Sequence, residues 1–310
     1  MTKGGIVAVQ LGDAESVLID GIRFTHPDKV LWPEQGVTKR DLVGYYNKMA
    51  ERILPHLAHR PVTLLRCPSG RQAQCFIQRH GADGVAPAVK RVQIKEARGM
   101  VEYLMVEDRR ALLHLVQLGV LEIHPWGARA DRPDRPDRLV LDLDPADGVP
   151  WAMVVEAAYG LRDRFKALGL ESFAMVTGGR GIHVAVPMVR RLDWDATAGF
   201  AKGVAGQVAD ADPKRFTISP LKNARIGRIF IDYMRNARGA SAVAPYSPRA
   251  RAGATVATPV DWDELGNLAG PGVFTVKTVP ERMRSLGDPW APVLTLQQSI
   301  SAAAKKAVGV

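Results

Sequence analysis

The segment LVLDLDPADG, residues 139–148, constrains the fold of this chain most strongly, because acidic and apolar residues alternate along it. In a β-strand, side chains two residues apart point to the same face. Asp142 and Asp144 therefore share one face, with Cα atoms roughly 7 Å apart, while Leu141 and Leu143 point into a core. Two neighbouring carboxylates repel each other, and Mg²⁺ or Mn²⁺, which prefer oxygen ligands, would relieve that repulsion. The alternative is a solvated strand end followed by an Asp-Pro turn.

A glycine-rich turn lies further along the chain, in the sequence MVTGGRGIHVAVP. We predict that it joins two strands, Phe173–Thr177 and Ile182–Pro187, and that its three glycines let the turn adopt positive φ and expose backbone N–H groups. Successive N–H groups can form a nest for an anion, and Arg180 adds a planar donor for phosphate. His183 lies on the strand face opposite its apolar neighbours and could reach a triphosphate. An ordinary glycine-rich hairpin is the alternative.

A third acidic residue, Asp232, interrupts the apolar sequence RIFIDYMRN, which we predict as a strand over Arg228–Met234. An unpaired carboxylate inside such a strand would be costly, so we expect a metal ion there or, as the alternative, a structural ion pair with an arginine such as Arg235. Three carboxylates, an anion-binding turn and flanking Arg and His side chains are the groups that two-metal phosphoryl transfer requires.

Helical and strand patterns are mixed along the chain without a regular β-α-β alternation, which predicts an α+β fold. Thr38, with Asp41 three residues further on, forms an approximate capping box in front of a helix with an apolar stripe at three- and four-residue spacing. Pro150 opens a second helix, which Gly169 ends.

The length of the chain allows one large domain or two modest domains. Residues 1–20 are expected to be an N-terminal extension or linker, and residues 296–310 a peripheral C-terminal tail. The charged, proline-rich residues 131–137 are predicted to form a surface loop.

Lys and Arg exceed Asp and Glu by 42 − 32 = 10, a surplus that favours nucleic acid because each neutralised phosphate releases counterions. A basic protein kept in solution by its charge is the alternative. No apolar run approaches the roughly 20 residues that span a bilayer, and the N-terminus has no signal-peptide pattern. Cys67 and Cys75 lack zinc-site spacing and are too few for a disulfide framework, which fits a reducing cytoplasm.

The combined motifs resemble the polymerase domain of bacterial ATP-dependent DNA ligase D, within the archaeo-eukaryotic primase superfamily. The similarity spans residues 22–292 and rests on THPDKVLWPEQGVTKRDLVGYY, LVLDLDPADGVPW, TGGRGIHVAVP, HPW at 124–126 and IFIDYMRNARGASAVAPYSPRARAGATVATPVDWDEL. It implies an α+β, primase-like polymerase fold over residues 21–295, with helices flanking a mixed or antiparallel sheet that carries the catalytic carboxylates. It also implies gap filling and end extension in non-homologous end joining, with a preference for ribonucleotides and Mn²⁺.

By this resemblance, Asp142, Asp144 and Asp232 hold two metal ions, Mn²⁺ or Mg²⁺, and Asp232 faces the 3′-hydroxyl of the primer. The residues that the resemblance places around the incoming nucleoside triphosphate are His124, Thr177, Arg180, His183, Arg235 and Arg249. For His124, a buried histidine before Pro125 is the alternative.

A separate group of residues should recognise the DNA end. Lys39 lies in the first turn of the capped helix, where a helix N-terminus and a lysine favour phosphate, and Lys29 precedes it by ten residues. By resemblance, both bind the 5′-phosphate of the downstream strand, and Phe76 stacks on template bases, which is worth roughly 1–3 kcal/mol per base. Surface lysines and a core phenylalanine are the alternatives. His26 and Cys75 stand where relatives often have Asn and Phe.

The resemblance further implies gapped or broken DNA as partner, ligase and nuclease domains in the same parent protein, the Ku end-binding protein, and a bacterial cytoplasm with the nucleoid as the place of repair. No membrane partner is expected. Two alternatives stay open: a replicative-type primase subunit, which usually carries a zinc-binding cysteine cluster, and a non-catalytic DNA-end-binding module, which needs no carboxylate triad. A metal-dependent glycosyltransferase also uses an Asp-x-Asp pair, but it explains neither Asp232 nor the basic surplus.

Overall fold

The structure is a computed structural model that describes residues 7–8, 16–81 and 84–310. Short antiparallel strands form its N-terminal edge: β1 Val7–Ala8, β2 Ser16–Ile19, β3 Ile22–Thr25, β4 Val30–Trp32 and β5 Val37–Thr38. The first three make one sheet in that order, and β4 pairs with β5. The expected boundary at residue 20 therefore falls inside the β2–β3 hairpin. Residues 1–6 and 9–15 of the expected extension lie outside the described residues.

A second sheet is antiparallel throughout. Its strands are β6 Val62–Arg66, β7 Phe76–Gln78, β8 Lys90–Glu96, β9 Gly99–Met105 and β10 Val120–Pro125. They run in the order β10-β6-β9-β8, and β7 also pairs with β6. A disulfide joins Cys67 to Cys75 in the connection between β6 and β7. The two cysteines thus form one local cross-link. We had expected a reducing cytoplasm, and that expectation did not include a disulfide.

The third sheet has six strands and carries the predicted carboxylates. Its strands are β11 Arg138–Pro145, β12 Phe173–Val176, β13 Ile182–Pro187, β14 Phe216–Thr217, β15 Ile229–Asp232 and β16 Thr258–Val260. They run in the order β14-β15-β11-β13-β12-β16, with β14 parallel to β15 and the other pairs antiparallel. This arrangement confirms the α+β fold class with a mixed central sheet.

Helices surround the sheets: α1 Lys39–Leu57, α2 Arg109–Gln117, α3 Trp151–Ala167, α4 Trp194–Ala211, α5 Trp262–Leu265, α6 Val279–Ser285 and α7 Ala302–Ala307. Short 3-10 helices span Pro33–Gln35, Lys222–Arg225, Met234–Asn236 and Ala291–Leu294. Helices α3 and α4 pack against the apolar face of the six-stranded sheet, where the alternating leucines of β11 lie. Among the described residues, every helix is too short or too polar to cross a bilayer.

The predicted capping box is confirmed at the start of α1. The Asp41 N–H donates to Thr38 Oγ1, and the Thr38 N–H donates back to an Asp41 carboxylate oxygen. The second predicted helix is also confirmed, since α3 begins after Pro150 and Gly169 follows it with φ of 74°. The predicted loop at 131–137 is mostly exposed.

The predicted strand over Arg228–Met234 is wrong at its end. Strand β15 stops at Asp232, and a 3-10 helix begins at Met234. The cause is local, because the Met234 N–H donates to Asp232 Oδ1 at 2.8 Å and turns the chain away from the sheet.

The C-terminal segment 296–310, expected to be peripheral, packs against the domain. Ile300, Ala304 and Val308 are buried in the main core cluster. The Gln298 side-chain amide donates to Glu171 O and to Pro187 O, both at 2.8 Å, and its oxygen accepts from the Glu171 N–H at 2.9 Å.

Candidate active site

Strand register brings the three predicted carboxylates together. Asp142 on β11 is the direct partner of Asp232 on β15 and, on its other side, of His183 on β13. Directly opposed residues of antiparallel strands point to the same face, with Cα atoms about 4.5–5.5 Å apart. Asp142, Asp144, Asp232 and His183 therefore project from one face of the sheet, and the leucines of β11 are fully buried on the other.

A histidine and an arginine side chain lie close to the Asp142 carboxylate. One of its carboxylate oxygens lies 3.5 Å from His183 Nε2 and 3.3 Å from a terminal guanidinium nitrogen of Arg235. Burial raises the pKa of Asp142, but His183, Arg235 and Arg249 outweigh burial and lower the pKa to about 2. Asp142 is therefore ionised throughout the neutral pH range.

Asp144 and Asp232 have the opposite shift. Burial and repulsion from Asp142 raise the pKa of both carboxyl groups, although nearby arginines act against this. Arg225 lies 3.3 Å from Asp144 Oδ2, and Arg235 Nε lies 3.3 Å from Asp232 Oδ2. Neighbouring carboxylate oxygens whose charged forms are disfavoured by burial and by repulsion form a donor set that suits a divalent cation.

The carboxylates are balanced here by arginines rather than by a closed ligand cage. Within the part of the chain that the structure describes, no group of three His, Cys, Asp or Glu side chains encloses a position for a metal ion. Arg225, which sequence reasoning missed, also stacks on Phe230, with its guanidinium carbon 3.7 Å from the ring centroid. Its ion pair with Asp144 joins residues 81 positions apart in the chain, and local sequence gives no signal for such a contact.

The glycine-rich turn is a tight hairpin rather than an open nest. The turn adopts positive φ at Gly178, with a value of 66°, whereas Gly179 and Gly181 have no positive φ. At Gly181 glycine is required for another reason, because a Cβ there would overlap Leu143 O on β11. The Gly179 N–H donates to Thr177 Oγ1 at 3.3 Å, and the Thr177 hydroxyl donates to Gly181 O at 3.0 Å. These groups close the turn on itself.

A polar cleft opens in front of the carboxylates. The predicted nucleotide-binding residues all line it: His124, Thr177, Arg180, His183, Arg235 and Arg249. Asp142 and Asp144 line it as well, and Asp232 lines an adjoining cleft that shares His124 and Arg235. Sequence reasoning missed Arg251, which also lines the first cleft. The sequence did contain an indication of this role, because Arg251 lies two residues after Arg249 in the same loop.

The arginines of this cleft differ in how firmly they are held. Arg249 is mostly buried and donates to Thr177 O at 2.5 Å, so it is tied to the glycine-rich turn. Arg180 is about half exposed and forms an ion pair with Asp147. The cleft thus has one buried guanidinium that bonds to its wall and one that is about half exposed.

Strand β10 supplies a buried carboxylate that sequence reasoning missed. Glu122 Oε1 accepts from the Ala250 N–H at 2.8 Å, and Oε2 lies 2.9 Å from His124 Nε2 and 3.0 Å from Arg249 Nε. Burial raises the pKa of Glu122, but His124, Arg249 and the Ala250 amide lower it to about 2. The sequence did indicate Glu122, because it lies two residues before His124 on one strand and both side chains therefore share a face. His124 itself lines the cleft and is partly exposed, unlike the fully buried alternative.

Asn236 locks the loop after β15 against β11. Its side-chain oxygen accepts from the Val140 N–H at 2.8 Å, and its amide donates to Val140 O at 2.7 Å and Tyr233 O at 2.8 Å. The amide takes the place of a strand partner two residues before Asp142. This contact holds Arg235 beside the carboxylates.

The two predicted DNA-end lysines lie close together but in different environments. Lys39 is only 6% exposed and its ammonium donates to Thr25 O at 2.8 Å, so it is not an ordinary surface lysine. Burial and repulsion from Lys29 lower its pKa. The first amides of α1 are also occupied, because the Lys39 N–H donates to Lys29 O and the Arg40 N–H donates to Pro27 O. The expected contribution of free helix amides is therefore absent at these positions.

Phe76 lies on the surface. Phe76 is 45% exposed, and the Arg66 guanidinium carbon lies 5.2 Å from the centroid of its ring. The alternative of a core phenylalanine is wrong. The next residue, Ile77, is also exposed and lines the adjoining cleft beside Asp232.

A mixed sheet with three carboxylates on one face, in front of an arginine-rich cleft, defines the class of primase-type polymerase domains. Comparison with known families agrees, since residues 38–290 match the LigD primase-polymerase domain. The chain belongs to this family. A DNA-directed nucleotidyltransferase activity, with use of a divalent metal and nucleoside triphosphates, is general to it.

Individual relatives support the same placement. The chain is 37% identical over 291 residues to the multifunctional non-homologous end joining protein LigD of Pseudomonas aeruginosa, covering 93% of this chain and 35% of that protein. The bifunctional LigD of Bacillus subtilis is 30% identical over 271 residues, with 87% and 43% covered. The chain thus spans less than half the length of these relatives.

A solved structure is similar as well. The polymerase domain from Mycobacterium tuberculosis ligase D, in complex with DNA, matches with a TM-score of 0.82 and 30% identity. The match covers 88% of this chain and 98% of that one.

Proposed function

We propose that this domain adds nucleotides, ribonucleotides in preference, to the 3′ end of a DNA primer under the direction of a template. One observation carries the proposal: the register of β11 places Asp142 between Asp232 and His183 at the floor of an arginine-rich cleft. Carboxylates facing cationic side chains suit nucleotidyl transfer, in which the phosphates must be neutralised as the 3′-hydroxyl attacks the α-phosphate in line.

Asp142, Asp144 and Asp232 are proposed to hold two divalent ions, Mn²⁺ or Mg²⁺, which when bound would neutralise charge on the reacting phosphate and activate the hydroxyl. Their hard oxygen donors suit both ions. Burial is the main cause of the raised pKa of Asp144 and of Asp232, and repulsion from Asp142 adds to it; a bound cation would offset both effects, which supports this role.

Arg180, His183, Arg235 and Arg249 are proposed to bind the triphosphate, with Arg251 as a further donor. Arg249 is fixed by Glu122 and by Thr177 O, so it offers a preorganised charge. Thr177 acts by closing the turn, since its hydroxyl is already bonded at both sides. His124 is proposed to contact the nucleotide from the β10 side of the cleft.

The adjoining cleft is proposed to hold the primer terminus, because Asp232 lines it next to the exposed Ile77. The solved relative is in complex with DNA, which supports a DNA partner here. Phe76 is exposed, as a stacking platform for a template base requires. Lys29 and Lys39 are proposed to bind a downstream 5′-phosphate, since an anion would relieve the repulsion between their ammonium groups.

In the parent protein we propose a role in bacterial non-homologous end joining. The named functions of the LigD relatives support it. Ligase or nuclease domains on the same chain, the Ku protein as partner, and a cytoplasmic, nucleoid-associated location belong to this proposal.

Primer extension on a gapped duplex with a 5′-phosphate tests the proposed activity. The wild-type domain should extend the primer with Mn²⁺, faster with ribonucleotides, whereas Asp142→Asn should abolish extension and retain DNA binding, because it removes one central ligand charge. Asp163→Asn, an exposed change on α3, is the matched control and should extend normally.

Other outcomes separate the alternatives. Retained extension by Asp142→Asn would contradict the metal assignment. Strand initiation by the wild type without a primer would indicate a primase. Tight DNA binding without addition under either metal would indicate an end-binding module.

A further inference from the structure

A second, smaller cavity lies behind the nucleotide cleft on the same face of the six-stranded sheet. Arg138, Val140 and Asp142 alternate along β11, so all three point to this face. The cavity has a volume of about 20 Å³, and about 10–15 Å³ of such space admits one water. It shares His183 and Arg235 with the nucleotide cleft but extends away from the carboxylates towards Arg138.

Arg138 is largely buried, and within the described part of the chain its guanidinium forms no direct ion pair, although Asp137 attracts it electrostatically. The residue is 9% exposed, and its guanidinium carbon lies 5.6 Å from the ring centroid of Trp290. Among residues 16–81 and 84–310, no hydrogen bond or ion pair to this guanidinium is found. An arginine side chain stays protonated in proteins, and an unpaired buried charge is costly.

The nearby carboxylates are already engaged by other donors. Asp137 accepts two hydrogen bonds from Arg60, at 2.6 and 2.8 Å, and a third from Arg129 at 3.0 Å. Asp288 accepts from the Tyr246 hydroxyl at 2.6 Å and from the Trp290 N–H at 2.9 Å. Three arginines thus surround one aspartate, and Arg138 is the member of the group that faces the cavity.

The side chains that line the cavity favour an anion over a water molecule. Its remaining side chains are either apolar, such as Val140 and Met175, or can donate hydrogen bonds, as His183 and Arg235 do. A buried water needs two to four polar partners, among them acceptors for its own hydrogens. A monatomic anion needs donors and no acceptors.

We propose that Arg138 binds a single monatomic anion, chloride in the cell, in this cavity. Arg138 lines this cavity and not the nucleotide cleft, so the site is separate from the one proposed for the triphosphate. Asp137 attracts all three arginines but of these bonds directly only to Arg60 and Arg129, and the ion supplies the direct contact that Arg138 lacks. It lies on the sheet face that carries Asp142, next to the wall formed by His183.

Halide binding is tested first by crystallography of the whole domain grown in sodium bromide. Anomalous scattering should locate one bromide in contact with the Arg138 guanidinium. Thermal unfolding then compares sodium chloride with sodium gluconate at equal ionic strength. Chloride should raise the Tm of the wild type by roughly 2–4 °C. The shift should vanish in Arg138→Met and persist in Arg129→Met, a matched change at an exposed arginine of the same group.

Two results would overturn the proposal. A cavity without anomalous signal, together with equal Tm values in both salts, would mean that water alone solvates Arg138. An undiminished chloride effect in Arg138→Met would place the halide elsewhere. The crystallographic measurement needs no variant, so poor folding of Arg138→Met leaves the test intact, and neither measurement depends on polymerase activity.

Discussion

At the scale of single residues, Glu122 links parts of the cleft that are far apart in sequence. Its carboxylate contacts His124 on its own strand and Arg249 in the loop after β15, and it accepts from the Ala250 backbone. Arg249 in turn donates to Thr177 O in the glycine-rich turn. One buried negative charge therefore orients two of the side chains proposed to meet the nucleotide.

Glu122→Gln should weaken nucleotide binding more than it slows chemistry. The change keeps the shape of the side chain but removes the charge that holds Arg249 and His124, and hydrogen bonds to charged groups contribute about 1.5–3 kcal/mol. We expect the KM for the nucleotide to rise roughly 10- to 100-fold, with a smaller change in kcat, in steady-state primer extension. Glu281→Gln, at an exposed ion pair on α6, is the control. An unchanged KM would rule out the positioning role.

At the scale of secondary structure elements, close packing of β13 against β11 depends on the glycine-rich turn. Gly181 leaves no room for a Cβ in front of Leu143 O, and Gly178 closely approaches the backbone of Val256. The turn therefore packs closely between β11 and the loop that carries Arg249 and Arg251.

Gly181→Ala should destabilise the domain and disturb the cleft together. The added methyl group forces β13 and β11 apart, and overpacking of this kind costs typically 1–3 kcal/mol. Gly206→Ala is the matched control, because its Cβ would meet open space on α4, where Ala stabilises a helix by roughly 0.5–1 kcal/mol over Gly. Urea unfolding should show opposite shifts for the two variants. A neutral Gly181→Ala would contradict the close approach.

Local sequence patterns predicted the helices and strands better than the long-range contacts between them. The alternation around Asp142 and the capping box at Thr38 are properties of a few adjacent residues, and both are present in the structure. The pairing of Asp142 with Asp232 joins positions 90 residues apart, so no local pattern specifies it. Glu122 comes from a different sheet, and for the same reason its contact with Arg249 could not be read from spacing. The early end of β15 arises from one side-chain hydrogen bond at Asp232.

At the scale of the whole molecule, buried ionisable groups set how stability varies with pH. His56 is fully buried at the contact of α1 with the chain around Trp290 and Asp288, and neither ring nitrogen has a hydrogen-bond partner among the described residues. Burial lowers its pKa to about 4, although Asp288 acts in the opposite direction. The folded protein therefore keeps this histidine neutral where an unfolded chain would protonate it.

Stability should fall as the pH drops from about 6.5 to about 4. The unfolded chain, with a histidine pKa of about 6.5, binds the proton more readily in this window, so up to about 3 kcal/mol present above pH 6.5 is lost. Asp144 and Asp232, whose pKa values are raised, act against this trend at its acidic end. Urea unfolding between pH 7.5 and 5 should show a flatter dependence in His56→Leu than in the wild type or in exposed His59→Gln. Equal slopes in all three would contradict this assignment.

The glutamine side chain at position 298 bonds to the chain on both sides of one hairpin, at Glu171 before β12 and at Pro187 at the end of β13. The opposite end of that hairpin is the glycine-rich turn, which its own hydrogen bonds and Arg249 already close. Hydrogen bonds outside the strand pairing thus connect β12 and β13 at both ends of the hairpin. The wall of the proposed nucleotide cleft is therefore held in place at both ends by bonds within the chain.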